Sequence, residues 1–122
     1  MKINNFTPQL RTVNMASTIR FYTEKLGFTI QFQYEDLYAG LRCGDQMLHL
    51  KYVCDLDPSI QYVDEGGHLH IYFGIDDAAG FAEDLKSKGV ALVKDVHDTD
   101  WQTREFVIND DQGHTLYFGQ VL

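Results

Sequence analysis

The sequence predicts an α+β fold, in which two β-α-β-β-β modules follow one another and form a curved mixed sheet shaped as a cup. Two observations predict it. The order of one strand, one helix and three strands occurs twice along 122 residues, and each helix pattern ends at a glycine, Gly27 or Gly89. Phe21 and Phe81 also occupy matching positions in the two helix patterns. We interpret this as a duplication, in which each helix covers one face of its sheet and leaves the other face open.

The first module is predicted over residues 7–53. Residues 9–13 alternate as a strand does, and the helix of residues 14–27 begins at Asn14, whose side chain can cap the first turn. Apolar residues then recur at helical spacing, and Gly27 ends the helix. Three strand patterns follow, in residues 28–35, 37–43 and 46–53.

The second module is predicted over residues 68–120, so that residues 1–122 form a single domain. Residues 54–67 contain Pro58 and a glycine pair, which favours a connector. The strand of residues 68–75 is followed by a helix over residues 76–89, capped by Asp76 or Asp77. The three closing strands are predicted at residues 90–96, 104–109 and 115–120.

Charge and composition exclude several classes of partner. Asp and Glu number 18 against 10 Lys and Arg, a formal net charge of -8, so nucleic acid is not an expected partner and a cationic small molecule is favoured. No apolar run approaches the roughly 20 residues of a membrane span, and no membrane partner is expected. Cys43 and Cys54 are too few for a disulfide framework. We therefore expect a cytoplasmic protein.

Three segments resemble one known family. They are STIRFYTEKLGF at residues 17–28, YEDLYAGLRCGDQMLHL at residues 34–50, and WQTREFVINDDQGHTLYF at residues 101–118. Together they resemble the vicinal-oxygen-chelate superfamily of glyoxalases, bleomycin-resistance proteins and extradiol dioxygenases, and most closely its bleomycin-resistance branch. The sequence departs from the pattern at Gln102, where the family has glycine, and at Asp111, where it has proline. Both departures lie in predicted loops.

The resemblance also implies where a metal ion would bind. Metal-dependent members place one ligand on each of four equivalent strands, and these positions fall on Thr7, His49, His70 and Tyr117. Zn²⁺ and similar ions need three or four protein donors, and only the two histidines are good ligands. We therefore expect no cofactor. The alternative is a divalent ion (Zn, Ni, Fe or Mn) at His49 and His70, completed by a substrate.

Strand parity, together with the resemblance, predicts which side chains line the cup. They are aromatic and polar, as in a small-molecule pocket: His49, His68, His70, Tyr72, Trp101, Arg104, Phe106 and Tyr117, with Gln9, Arg11, Met47, Ile108 and Thr115 beside them. We expect His70, rather than His68, near the middle of the cup, facing His49 and approached by Tyr117. The other interpretation of these residues is a dimer interface.

For function, the resemblance implies a non-catalytic binding protein of the bleomycin-resistance type. Such a protein sequesters a cationic or aromatic compound and can confer antibiotic resistance. Trp101 beside Asp98 and Asp100 is consistent with stacking on a flat cation. The alternative is a metal-dependent lyase, isomerase or dioxygenase, for which no catalytic residue is assigned. Open sheet faces on each module also predict a homodimer.

Overall fold

The computed structural model describes all of residues 1–122. Residues Met1–Asp57 and Pro58–Leu122 form two compact units. Each unit contains one four-stranded sheet that mixes parallel and antiparallel strands. The predicted α+β class with tandem β-α-β-β-β modules is confirmed. No helix combines the length and the apolar character that a membrane span requires.

The first unit follows the predicted order of elements. The bounds are β1 Gln9–Thr12, α1 Met15–Arg20 with a π-helical continuation Phe21–Lys25, β2 Thr29–Tyr34, β3 Tyr38–Cys43 and β4 Gln46–Tyr52. The strand order is β1-β4-β3-β2, with β1 parallel to β4. As predicted, the Asn14 side chain caps α1, because its Oδ1 accepts a bond of 3.1 Å from the Ser17 amide. Gly27 follows the helix with φ of 78°, which a glycine adopts without strain.

The core of the first unit lies between its helix and one face of its sheet. Helix α1 contacts β4, and Met15, Ile19 and Tyr22 are buried on the helical side. The sheet contributes a row of buried aliphatic side chains from β3 and β4: Ala39, Leu41, Leu48 and Leu50. The alternation in β4 places Leu48 and Leu50 on this face and leaves Met47 and His49 on the other.

The second unit repeats this plan after an additional helix. The bounds are α2 Pro58–Asp64, β5 Ile71–Gly74, α3 Ala78–Ser87, β6 Leu92–Asp98, β7 Thr103–Asn109 and β8 Thr115–Val121. The strand order is β5-β8-β7-β6, with β5 parallel to β8. Asp77, rather than Asp76, caps α3 by accepting a bond of 3.0 Å from the Gly80 amide.

Aromatic rings form much of the second core. Phe106 and Phe118 are stacked with ring centroids 5.1 Å apart, and Phe81 of α3 meets both of them edge-on. Phe73 of β5 stacks on the other side of Phe118 at 4.9 Å. Phe106 is fully buried. These rings join three strands to the helix, so this face of the second sheet is its core face.

Two local features differ from the prediction. The predicted connector contains helix α2, whose Pro58 suits the first helical position and whose Ile60 is buried. The strand predicted at residues 68–75 begins only at Ile71, so His68 and His70 precede it. Within β5 the side chains alternate between the faces as predicted. Ile71 and Phe73 are partly buried, while Tyr72 between them is 51% exposed.

Candidate functional site

We call the face of each sheet opposite its core face the open face. In the second sheet this face also meets α2, since Asp64 Oδ1 accepts a bond of 3.4 Å from Asn109 Nδ2 and α2 contacts β8. In the first sheet the register pairs His49 with Gln9 on one side and with Gly40 on the other. The open face therefore carries alternate residues of all four strands: Gln9, Arg11, Phe32, Tyr34, Tyr38, Gly40, Arg42, Met47, His49 and Lys51. The four residues predicted to line this sheet, Gln9, Arg11, Met47 and His49, lie together on it.

Three rings form a cluster on the open face of the first sheet, and we call Phe32, Tyr38 and His49 the first ring cluster. The Phe32 ring lies parallel to Tyr38 at 6.2 Å between centroids and edge-on to His49 at 5.5 Å. A Cβ atom at Gly40 would collide with the Phe32 ring, so the glycine is what lets this ring lie against the sheet. Phe32 remains 43% exposed. The cluster thus presents a flat aromatic surface to solvent.

A hydrogen-bond chain fixes the orientation of His49 in this cluster. The Gln9 amide nitrogen donates to the Tyr38 hydroxyl at 3.1 Å, and that hydroxyl lies 2.9 Å from His49 Nδ1. This pairing occupies Nδ1, so Nε2 is the ring nitrogen of His49 that remains for a hydrogen bond with a ligand.

The second sheet has a different open face from the one predicted. Tyr72, Val107 and Tyr117 share it, because Tyr117 pairs with both of the others. Phe106 pairs with Phe118 on the core face. Arg104 lies on that same core face and binds Asp98 through Nε at 2.7 Å.

The prediction that Arg104, Phe106 and Ile108 share a face with Tyr117 is therefore wrong by one residue along β7. The strand is buried on both sides from Glu105 to Ile108, so its sequence lacks the alternation that would reveal the correct parity. The side chains that actually share the face with Tyr117 in this strand are Thr103, Glu105, Val107 and Asn109. The predicted Thr115 is on the correct face, since it pairs with Asn109.

A second set of rings stands at the entrance to β5, and we call His68, His70 and Tyr117 the second ring cluster. The His70 and Tyr117 rings are stacked with centroids 4.9 Å apart. The His68 ring meets His70 edge-on at 5.2 Å. Tyr117 therefore approaches His70, as predicted. The expectation that His70 faces His49 stays a prediction.

Sequence reasoning assigned no role to Glu105, although it organises the open face of the second sheet. Its side chain is only 6% exposed, and its Oε2 accepts bonds from the Tyr72 hydroxyl at 2.8 Å and from Thr103 Oγ1 at 2.9 Å. These donors offset the cost of burying a carboxylate. Burial, and then the bond to Glu105, raise the pKa of Tyr72 above its usual value of 10.0. Tyr72 therefore remains a protonated donor at neutral pH.

Trp101 lies in an exposed loop, as predicted, with 69% of its surface accessible. Its neighbour Gln102 adopts φ of 67°, the left-handed conformation that explains why the resembled family has glycine there. Of the two nearby carboxylates, Asp98 is already bound to Arg104 at 2.7 and 3.1 Å. That bond from Arg104 holds the pKa of the Asp98 carboxyl below its usual range. Asp98 is thus engaged with a cation of this chain.

The donor set does not fit a metal ion held by protein ligands alone. The four positions that the resemblance implies hold two imidazoles, the Thr7 hydroxyl and the Tyr117 phenol. His49 already uses Nδ1 in its bond with Tyr38. No group of three or more His, Cys, Asp or Glu side chains is arranged to hold an ion. Zn²⁺ sites in proteins use three or four donors of these types.

Comparison with known proteins connects this geometry to a family. Residues 2–118 match the family Glyoxalase, described as the Glyoxalase/Bleomycin resistance protein/Dioxygenase superfamily. A search of curated proteins finds no match to this chain. The match covers nearly the whole chain, including both sheets.

Solved structures with this fold include a bleomycin resistance determinant, a bleomycin-binding protein and an enzyme. One is a bleomycin resistance determinant encoded on the transposon Tn5, with 26% identity, a TM-score of 0.77 and 98% of each chain covered. Another is the bleomycin-binding protein of Streptomyces verticillus complexed with copper(II)-bleomycin, with 23% identity, a TM-score of 0.72, and 97% of this chain and 96% of that chain covered. A third is the lactoylglutathione lyase of Agrobacterium tumefaciens, with 17% identity, a TM-score of 0.74, and 95% and 92% covered. Binding proteins and an enzyme thus share the fold.

Proposed function

Because the chain belongs to the glyoxalase/bleomycin resistance protein/dioxygenase superfamily, we propose that it is a small-molecule-binding protein that sequesters an aromatic compound. The observation that carries the proposal is the first ring cluster. Phe32 and Tyr38 lie parallel to one another and partly exposed, on a face where Gly40 makes room for the Phe32 ring. Flat aromatic surfaces of this kind bind planar ligands by stacking.

Polar atoms beside the rings would orient such a ligand. His49 presents Nε2, because its Nδ1 is occupied by Tyr38. The second sheet carries a separate set of rings and fixed polar groups, in which His70 stacks on Tyr117 and the Tyr72 hydroxyl is held by Glu105. Small-molecule sites typically combine a mainly apolar surface with a few fixed polar groups. The bleomycin-binding neighbours support a binding role, and we extend it to this chain as a cytoplasmic protein.

The test is isothermal titration calorimetry with bleomycin and with simple planar aromatic compounds. We expect saturable binding of at least one compound, weakened roughly three- to tenfold by Phe32→Leu, because the substitution removes stacking while keeping an apolar side chain. Tyr62→Leu is the matched control, since Tyr62 is 63% exposed on α2 and is a member of neither ring cluster. Absence of any saturable heat, or equal losses in the two variants, would contradict the proposal.

The metal-dependent lyase, isomerase or dioxygenase remains the second candidate, favoured by His49 and His70 at two implied ligand positions. Elemental analysis of untagged protein, purified without added metal, distinguishes the two candidates. If the protein contains stoichiometric Zn, Ni, Fe or Mn, and both His49→Ala and His70→Ala lose it, the binding proposal is wrong and the metal-dependent enzyme is supported. Sub-stoichiometric metal that is unaffected by either substitution supports the binding protein.

We also propose that the chain is a homodimer. The edge strand β2 exposes Phe32 and Tyr34 on the open face by 43% and 63%, and Ile30 on its other face by 50%. Exposed apolar side chains along one strand are typical of surfaces that bind another molecule. We expect sedimentation velocity at micromolar concentration to give a dimer. A single species with the mass of one 14.0 kDa chain would contradict this expectation.

A further inference from the structure

We propose that the compound bound on the open face of the first sheet is an aromatic anion, with its negative group held by Arg11 and Lys51. This inference rests on the proposed function and narrows its ligand to one chemical class. The rings of the first ring cluster select a planar ligand but do not select its charge.

The first sheet is basic although the chain is acidic. None of its four strands contains Asp or Glu, and its charged residues are Arg11, Arg42 and Lys51, all on the open face. The 18 acidic residues of the chain lie outside these strands, with Glu35, Asp36 and Asp45 in the turns that join β2 to β3 and β3 to β4. At physiological ionic strength, exposed charges are screened over about 8 Å, so local side chains determine what this face attracts. The net charge of -8, which favoured a cation, does not describe this surface.

Two of these cations lie directly opposite one another. Arg11 of β1 and Lys51 of β4 are register partners in neighbouring parallel strands, so their like charges repel one another. Asp57 offsets part of the repulsion, with its Oδ2 at 3.1 Å from Arg11 Nη1. Lys51 is exposed and has no carboxylate within ion-pair distance. The pair therefore retains net positive charge, which an anionic ligand would neutralise.

The cations lie beside the rings at a spacing that suits one small molecule. Lys51 is the register partner of Tyr38, a member of the first ring cluster. It also follows His49 by two residues on the same face of β4, which corresponds to roughly 7 Å along a strand. That distance matches an aromatic ring bearing a carboxylate or phosphate. Such a ligand would stack on Phe32 and Tyr38 while its anionic group reaches Lys51 and Arg11.

Arg42 adds charge at the far end of the same face. Its Nε donates to the Gln31 side chain at 2.9 Å and its Nη1 to the Gly44 carbonyl at 3.2 Å. Both partners are neutral, so they fix the guanidinium without cancelling its charge. Arg42 thus increases the positive potential of the face without taking part in the Arg11 and Lys51 pair.

The experiment compares ligands that share one ring system and differ in charge. The probes are naphthoate, naphthyl phosphate, naphthylmethanol and naphthylmethylammonium, titrated by calorimetry into the whole protein. We expect at least one of the two anions to bind about fivefold more tightly than the alcohol, and the ammonium to bind most weakly. The advantage of the anion should shrink as salt is added. The two anions distinguish a carboxylate ligand from a phosphate ligand.

Variants then assign the preference to Lys51. We expect Lys51→Gln to remove the advantage of the anion over naphthylmethanol, and Lys51→Arg to retain it. Lys25→Gln is the matched control, because it makes the same change of charge in the same unit, in the π-helical turn. An anion preference that survives Lys51→Gln, equal affinity for all charges, or tightest binding of the ammonium would overturn the inference and leave the binding function standing. No saturable binding of any probe would overturn the proposed function itself.

Discussion

Phe106→Ala is expected to lower the free energy of unfolding by about 3–5 kcal/mol, the usual cost of removing a buried phenyl ring. Phe106 has no exposed surface, stacks on Phe118 at 5.1 Å and meets Phe81 edge-on at 6.1 Å. Its removal would leave a cavity between the second sheet and α3. Urea unfolding followed by circular dichroism measures the change through the transition midpoint, provided that the slope with denaturant is unchanged.

The matched control for Phe106 is Phe32→Ala, the same substitution on an open face. Phe32 is 43% exposed, so its removal is expected to cost about 1 kcal/mol or less. The pair tests the burial of the Phe106 ring. If Phe106→Ala were as mild as Phe32→Ala, the Phe106 ring would not be packed in the core of the second unit. A large difference between the variants supports the buried, stacked position of Phe106.

The duplicated order of elements could be predicted because its signals are local. Glycines end the helices, Asn14 and Asp77 cap them, and the helical spacing of apolar residues between these points depends on no distant contact. The open face of β4 was predictable for a similar reason. Leu48 and Leu50 alternate with Met47 and His49, and the alternation alone separates the core face from the open one.

The parity of β7 could not be predicted, because both faces of this strand are buried. Phe106 and Ile108 pack on the core face, while Glu105 and Val107 are nearly as buried on the other. The pattern therefore carries no period of two. In β2 the pattern is uninformative for the opposite reason, because all six of its residues are exposed. Nothing in the sequence of this strand distinguishes Phe32, which belongs to the first ring cluster, from its neighbours. The signal that could have found Phe32 is the glycine across from it at position 40.

Contacts between distant residues were beyond sequence reasoning. Glu105 and Tyr72 are hydrogen-bonded although they belong to strands β7 and β5, which are separated in the sheet by β8. The bond crosses over β8 at Gly119, where the Tyr72 ring and hydroxyl occupy the space that a Cβ atom would fill. Glycine in the middle of a strand often marks such a close approach.

Gly119→Ala is expected to destabilise the protein by about 1–3 kcal/mol, the cost of leaving a buried polar group short of a partner. The new methyl group would collide with the Tyr72 hydroxyl and ring. Tyr72 is 51% exposed and can swing into solvent, but Glu105, at 6% exposure, would then lose one of its two donors. The control is Gly74→Ala, because a Cβ atom there meets nothing within 4 Å. It should be neutral or slightly stabilising, since alanine restricts the unfolded chain more than glycine does.

A double-mutant cycle separates this explanation from a general intolerance of β8 to a side chain. In a Tyr72→Ala background the collision no longer exists, and the bond to Glu105 is already lost. Gly119→Ala should then cost much less than it does in the parent protein, so the two effects on the free energy of unfolding should not add. Additive effects would show that the position of the Tyr72 ring does not depend on the absence of a side chain at Gly119. They would also show that Glu105 keeps two hydrogen-bond donors in the Gly119→Ala variant. Non-additivity would identify Gly119 as the residue that lets the Tyr72 side chain cross β8 and reach the buried Glu105 carboxylate. That carboxylate in turn fixes the position of the Tyr72 hydroxyl on the open face.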